Sequence, residues 1–129
     1  MKILLDTYTF IWMVVSPRRL PRRLYEAIVD PANILALSIA SMWEMQIKYQ
    51  LGKLELPASV PNFVTTQLQI NDIQTLTVLD EHIWALDKLP LHHRDPFDRL
   101  LIAQAIVEGY RLASVDAVFR EYPVELFPG

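Results

Sequence analysis

The chain has 129 residues, 52% hydrophobic side chains and a formal net charge of -3, so we expect one domain spanning residues 1–129, without the basic excess typical of nucleic-acid-binding proteins. It contains no cysteine, which excludes disulfides, zinc thiolates and thiol nucleophiles. Asp6 comes too early for a signal peptide, and no apolar run approaches the ~18 residues that cross a membrane. We therefore expect a cytoplasmic protein without a membrane partner.

Short apolar runs alternate with helical segments along the chain. The apolar runs predict strands at residues 2–5, 34–37, 75–78, 111–115 and 124–127. Helices are predicted at residues 7–13, 20–29, from 38 or 41 to 51, about 61–70, around Trp84, 96–109 and 117–122. This alternation predicts an α/β fold with a central parallel sheet of four to five strands, covered by helices on both faces and joined by right-handed crossovers.

Four acidic residues stand where such a fold gathers side chains at one end of its sheet. Asp6 and Asp116 each follow a predicted strand, whereas Glu44 and Asp98 lie early in two apolar helices. Pooled carboxylates repel one another unless a cation neutralises them, and Mg²⁺ and Mn²⁺ prefer oxygen ligands of this kind. The pattern therefore predicts a divalent-metal site.

Three of the acids also have a simpler interpretation, whereas solubility explains poorly an acid such as Asp6 at the end of a buried apolar strand. Asp98 is suited to the positive end of a helix that begins near Asp95, and Asp116 to a turn. Ser41-x-x-Glu44 has the form of a capping box, although Ser38 can cap the same helix. Glycine is too scarce to form a phosphate-binding loop, so an anionic substrate must be held by metal or by cationic side chains.

Four motifs, in this order and at this spacing, resemble the PIN-domain family and, within it, the VapC-type toxins of type II toxin–antitoxin pairs. The motifs are Leu5-Asp6-Thr7, Ser38-Ile-Ala-Ser-Met-Trp-Glu44, the run from His92 to Ala103, and Ala113-Ser-Val-Asp116. The resemblance implies a PIN-like fold and a Mg²⁺- or Mn²⁺-dependent endoribonuclease that cuts RNA. It also implies a homodimer that an antitoxin protein keeps silent.

The resemblance also assigns the site residues. The catalytic and metal-binding quartet is Asp6, Glu44, Asp98 and Asp116, with Asp95 as an additional acid and Ser114 as the small hydroxyl residue beside the last acid. We take Asp6 and Asp98 as the firmest metal ligands. Asp116 is a second-site or water-mediated ligand, and Glu44 either binds metal or positions the water. Whether one or two metals bind stays open.

One position departs from the family pattern. Relatives often carry His two residues after the first Asp, where this chain has Tyr8. Tyrosine is not an obvious metal ligand, and we expect the change to matter little. His92 and His93 are interpreted as exposed or structural loop residues.

Basic and aromatic residues bear on partners. Arg94, Arg99 and Lys48 lie near the acid-bearing helices and are candidates for RNA contacts. A separate arginine cluster is either a phosphate-binding patch or a solvated helix start, and it comprises Arg18, Arg19, Arg22 and Arg23. The first and third helices also carry large apolar residues, which either pack in the core or form a groove for an antitoxin helix. These residues are Trp12, Met13, Met42, Trp43, Met45 and Tyr49. The antitoxin would need a basic side chain, most simply Arg, to reach the carboxylates.

Three other functions fit part of the pattern. A receiver domain needs paired acids near its first strand, and Asp6 has no acidic neighbour. A haloacid-dehalogenase-like phosphatase needs a second Asp where Tyr8 stands. A catalytically inactive binding module with a PIN-like fold is the third alternative, and retention of all four acids argues against it.

Overall fold

A computed structural model describes residues 1–91 and 95–127 of the chain. The strands are β1 Lys2–Leu5, β2 Ile34–Ser38, β3 Ile73–Leu76, β4 Arg111–Ala113 and β5 Leu126–Phe127. The α-helices are α1 Thr7–Val15, α2 Arg22–Val29, α3 Ile39–Gln50, α4 Val60–Ile70, α5 Asp80–Ala85 and α6 Pro96–Glu108. Short 3-10 helices cover Pro17–Arg19, Leu86–Lys88 and Ala117–Glu121.

The five strands form one parallel sheet in the order β3-β2-β1-β4-β5. In register, Leu4 of β1 pairs with Ala36 on one side and Leu112 on the other. Chain connections from β1 run outward to β2 and β3, whereas β4 and β5 lie on the opposite side. The strand order therefore reverses between β1 and β4, and open α/β sheets bind ligands at the carboxyl end of such a switch point.

Helices cover both faces of the sheet and bury two apolar cores. Side chains alternate between faces along a strand, so Ile3 and Leu5 enter the core beneath α1 to α4, and Leu4 enters the core beneath α6. Phe10 and Phe63 meet edge-on in the first core, with ring centroids 5.8 Å apart. The predicted α/β architecture, with a five-stranded parallel sheet and helices on both faces, is confirmed.

Helix ends follow the predicted chemistry at α6 and depart from it at α3. Asp95 caps α6 by accepting hydrogen bonds from the backbone N–H groups of Phe97 and Asp98, and the helix ends at Gly109 with a φ of 74°. At α3 the capping residue is Ser38, whose hydroxyl accepts from Ala40 N. The capping-box interpretation of Ser41 is therefore wrong, because Ser41 lies inside the helix and is fully buried.

Several strand boundaries also differ from the prediction. β3 begins and ends two residues early because Ile73 fills the core and pairs beside Leu35, while the carbonyl of Thr77 accepts from the side chain of Gln104 instead of a neighbouring strand. β4 stops at Ala113, since the Ser114 hydroxyl accepts the N–H of Asp116 and turns the chain. β5 is reduced to two residues. Across the described ranges, no helix has both the length and the apolar character needed to cross a membrane.

Candidate functional site

Asp6 lies at the switch point, directly after β1. Its backbone N–H donates to the carbonyl of Ala113 at 3.0 Å, and its carboxylate accepts the N–H of Thr9 at 2.8 Å, which caps α1. Only 8% of the residue is exposed. Burial raises the pKa of the Asp6 carboxyl, hydrogen bonds from Ser114 and Thr9 oppose this, and the nearby charge of Glu44 adds to the rise.

Glu44 is held by two partners in the second turn of α3. The hydroxyl of Thr7 donates to Oε1 at 2.6 Å, and the ammonium of Lys48 donates to Oε2 at 2.6 Å. The two residues of the ion pair are four positions apart, so they share a helix face. Burial works against the charge on Lys48, but hydrogen bonds and charge from Glu44 and Tyr8 outweigh it and raise the pKa of Lys48. Each Glu44 oxygen therefore already has a partner inside the protein.

Asp98 and Asp116 reach the same place from two other elements. Asp98 is half-buried in the first turn of α6, where Asp95 caps the helix. Asp116 is exposed and caps the 3-10 helix Ala117–Glu121 by accepting the N–H of Val118 at 3.0 Å. Ser114 links the acids, since its side chain hydrogen-bonds Asp6 and also accepts the N–H of Asp116.

One pocket of about 350 Å³ collects all of these acids, and we call it the acidic pocket. Its lining includes the predicted quartet and the additional acid: Asp6, Glu44, Asp95, Asp98 and Asp116. The remaining lining residues are Thr7, Tyr8, Trp12, Lys48, Val115 and Phe119. Residues from β1, α1, α3, α6 and the end of β4 thus meet at the carboxyl end of the sheet. Such a concentration of oxygen donors is suited to a hard divalent cation.

The comparisons with known proteins agree with this geometry. A family model described as "PIN domain" matches residues 3–125. The chain belongs to the PIN domain family. The receiver-domain and phosphatase alternatives are therefore not supported.

Two individual proteins are similar to this PIN domain. Ribonuclease VapC22 of Mycobacterium tuberculosis is 27% identical over 121 residues, which cover 93% of this chain and 91% of that protein. A crystal structure described as VapBC2 from Rickettsia felis bound to a DNA fragment from their promoter matches with a TM-score of 0.71 and 16% identity. That match covers 98% of this chain and 96% of the other.

The predicted basic residues occupy different places around the PIN-domain pocket. Lys48 lies in the wall, bound to Glu44. Arg99 does not line the acidic pocket; its guanidinium donates to the carbonyls of Pro90 and Leu86 and ties α6 to the preceding turn. His92, His93 and Arg94 lie outside the described residues, so the predictions made for them stay predictions.

Five wall residues were not predicted as parts of the site, and three of them contact other wall residues. Thr7 holds Glu44, Tyr8 accepts a 3.2 Å hydrogen bond from Lys48, and Trp12 lies beside Tyr8. The spacing of four residues between Tyr8 and Trp12, and again between Glu44 and Lys48, was the available signal. It shows which residues share a helix face, but not that the two faces meet.

A second group of possible ligands lies where α5 packs against the end of α6. Oxygen and nitrogen atoms of Glu81, His82 and Glu108 come within 4.8 Å of one another. The buried ring of His82 accepts the N–H of Leu79 at Nδ1, so the neutral ring carries its proton on Nε2, which points toward Glu108 at 3.5 Å. A protonated ring nitrogen is not a metal ligand. This group therefore fits a buried structural histidine better than a metal centre.

A cavity of about 520 Å³ between α5 and α6 is separate from the acidic pocket. Its walls include Trp84, Leu89 and Ile106, and none of the five pocket acids lines it. Its lining holds one acid, Glu81, and one cation, Lys88, but no cluster of carboxylates. The acidic pocket is therefore the better candidate for a divalent-metal site.

Proposed function

We propose that this PIN domain, taken as a single unit of residues 1–129, is a Mg²⁺- or Mn²⁺-dependent endoribonuclease and the toxin of a toxin–antitoxin pair. The observation that carries the proposal is the convergence of five carboxylates in one pocket at the switch point. Membership of the PIN domain family and likeness to a protein named ribonuclease VapC22 support the same activity.

The donor set fits a divalent cation. Asp6 is nearly buried, its pKa is raised, and the charge of Glu44 acts against it, so a cation between the carboxylates would relieve both penalties. We propose Asp6 and Asp98 as direct ligands and Asp116 as a second-site or water-mediated ligand. When bound, such a metal lowers the pKa of a water and neutralises charge on the phosphate.

The protein's own groups prepare this site before substrate arrives. Ser114 orients Asp6 and holds the turn that presents Asp116. Thr7 and Lys48 fix the carboxylate of Glu44, which favours positioning of the attacking water over direct metal binding for this residue. Asp95 caps α6 and thereby sets the position of Asp98 in the first turn.

The partner of the toxin is proposed from its surface and its relatives. Large apolar side chains stay exposed, including Trp43 at 63% and Trp84 at 70%. Trp43 meets Phe97 edge-on with centroids 5.2 Å apart, which extends an apolar surface from α3 to α6. We propose that an antitoxin helix covers this surface and directs an arginine to the carboxylates, and that the chain forms a homodimer. The VapBC2 complex supports an antitoxin partner.

Cleavage of a labelled single-stranded RNA tests the enzymatic proposal. We expect cleavage with Mg²⁺ or Mn²⁺, none with EDTA, and a loss of at least ~100-fold in Asp98→Asn, because the substitution removes a charged ligand and keeps the side-chain shape. Asp87→Asn is the matched control, since Asp87 is exposed and lies outside the pocket. Wild-type cleavage by Asp98→Asn, or cleavage that persists in EDTA, would contradict the proposal.

A further inference from the structure

Two aromatic side chains form one wall of the acidic pocket, and we call Tyr8 and Trp12 the aromatic rim. They lie one turn apart on α1 and therefore share a face. Their ring centroids are 5.7 Å apart, with 47° between the ring planes. Tyr8 is 36% exposed and Trp12 is partly exposed. Aromatic surface is thus accessible directly beside the carboxylates.

A cation lies at each end of the aromatic rim. The ammonium of Lys48 is 4.8 Å from the ring centroid of Tyr8, and the guanidinium carbon of Arg19 is 5.3 Å from that of Trp12. Lys48 is engaged with Glu44, whereas Arg19 is exposed to solvent. The Trp12 end therefore presents an accessible positive charge next to an aromatic ring.

A side depression continues the acidic pocket toward further positive charge. It has a volume of about 130 Å³ and shares Val115 and Asp116 with the acidic pocket. Pro21, two residues after Arg19, and the exposed Arg120 also line it. A chain of phosphates that leaves the carboxylates along this depression would meet the side chain of Arg120.

Aromatic rings flanked by cations are a combination that binds single-stranded nucleic acid. Stacking on a ring requires an unpaired base, and arginines attract the flanking phosphates. Carboxylates repel the RNA backbone, whereas the adjoining cations attract it. We infer that, if the proposed function is correct, the aromatic rim stacks an unpaired nucleobase beside the scissile phosphate, while Arg19 and Arg120 contact neighbouring phosphates.

Binding of base-bearing and abasic RNA separates stacking from charge. Both RNAs are labelled single strands of equal length, and binding is followed by fluorescence anisotropy in an Asp98→Asn background, in which the RNA is not cut. Trp12→Leu keeps apolar packing against the core but removes the ring. We expect it to weaken binding of base-bearing RNA roughly 5- to 100-fold and to leave abasic RNA unchanged. Trp84→Leu, an exposed tryptophan on α5, should change neither.

The arginine contribution has a different signature. Arg19→Ala should weaken the binding of both base-bearing and abasic RNA. It should also reduce the slope of log affinity against log salt by about one, because it removes one phosphate contact. Arg22→Ala is the matched control, since Arg22 is exposed and already paired with Glu26 at 2.9 Å. Equal loss in the control variant would reduce the effect of Arg19 to general charge and overturn its assignment.

Two results would refute the proposed role of the aromatic rim in base stacking. One is unchanged binding of base-bearing RNA by folded Trp12→Leu, and the other is an equal loss for abasic RNA. If Trp12→Leu does not fold, a variant with Trp43 and Trp84 replaced by Phe leaves Trp12 as the single tryptophan, whose fluorescence can be excited selectively. Quenching by base-bearing but not by abasic RNA supports stacking, and no quenching at saturation refutes it.

Two further outcomes separate the inference from the proposed function. If the wild type cleaves RNA and Trp12→Leu binds base-bearing RNA as tightly as the wild type, base stacking on the aromatic rim is refuted and the nuclease proposal is unaffected. Absence of metal-dependent cleavage refutes the nuclease proposal, and the two binding curves still decide whether the rim stacks a base. If Trp12→Leu loses only an antitoxin peptide and not RNA, the rim is a protein-binding surface and the inference is wrong.

Discussion

Replacing Lys48 by methionine removes the cation that lies against the carboxylate of Glu44. The side chain of Glu44 is 4% exposed and that of Lys48 is 30% exposed, with 2.6 Å between Nζ and Oε2. Methionine keeps most of the apolar stem that packs along α3. The variant therefore leaves a nearly buried carboxylate with one hydrogen-bond donor, Thr7, and no counter-charge.

The expected cost follows from the unequal exposure of the pair. Removing one partner of a fully buried ion pair costs about 3–5 kcal/mol. Because the Lys48 side is partly open to water, which solvates the carboxylate once the lysine is gone, we expect a loss of about 2–3 kcal/mol in the free energy of unfolding. For a domain of this size, this corresponds to a Tm lower by about 6–15 °C.

Chemical and thermal unfolding of four proteins tests this reasoning: the wild type, Lys48→Met, Glu44→Gln and the double variant, all in EDTA. Glu44→Gln should cost less than Lys48→Met, since the remaining ammonium can reach solvent. The double variant should be more stable than Lys48→Met, because no unpaired charge remains. Arg22→Met is the control. Arg22 and Glu26 have the same four-residue spacing as the pair under test, but both are exposed, so we expect no measurable change in Tm. A Tm for Lys48→Met within 2 °C of the wild type would refute the argument, where about 2 °C corresponds to roughly 0.5 kcal/mol.

Two further predictions concern the acids. Mn²⁺ should raise the wild-type Tm relative to EDTA, because metal binding adds RT ln(1 + [L]/Kd) to the free energy of unfolding. Asp98→Asn should lose most of this gain. Identical melting curves with and without metal would argue against a metal site. Because the pKa of Asp6 is raised in the folded state, its contribution to stability is present below the ordinary value of 3.8 and is lost as pH rises through the folded pKa. Asp6→Asn keeps a residue that can cap α1, so in EDTA at neutral pH the variant should be more stable than the wild type. This difference in stability should vanish in acid. At neutral pH with Mn²⁺, the wild type should instead be the more stable protein. A pH-independent difference between the two proteins would show that burial of the Asp6 charge is not the cause.

Local sequence patterns were sufficient for the layout of the fold. Apolar runs of four or five residues separated by helical segments predict parallel strands, because only a crossover helix connects such strands within one sheet. Asp95-Pro96 and Gly109 marked the ends of α6, since capping chemistry depends on neighbours in the chain. Asp6 and Asp116 were found because each follows a strand, and strands of a parallel sheet end at one edge.

Contacts between distant residues were decided only by the tertiary structure. The sequence pattern around Ser41 allows Glu44 to form a capping box, yet the hydrogen-bond partners of Glu44 are Lys48 and Thr7. Thr7 belongs to α1, and no pattern of neighbouring residues predicts that α1 and α3 meet. Arg99 stands next to Asp98 in the chain but points to the backbone of the preceding turn, because side chains on a helix diverge by about 100° per residue. Tyr8 and Trp12 gained their place beside the carboxylates because packing on the sheet buries the opposite face of α1. Backbone propensities act over a few residues, whereas a site on this fold is assembled from five elements that packing alone brings together.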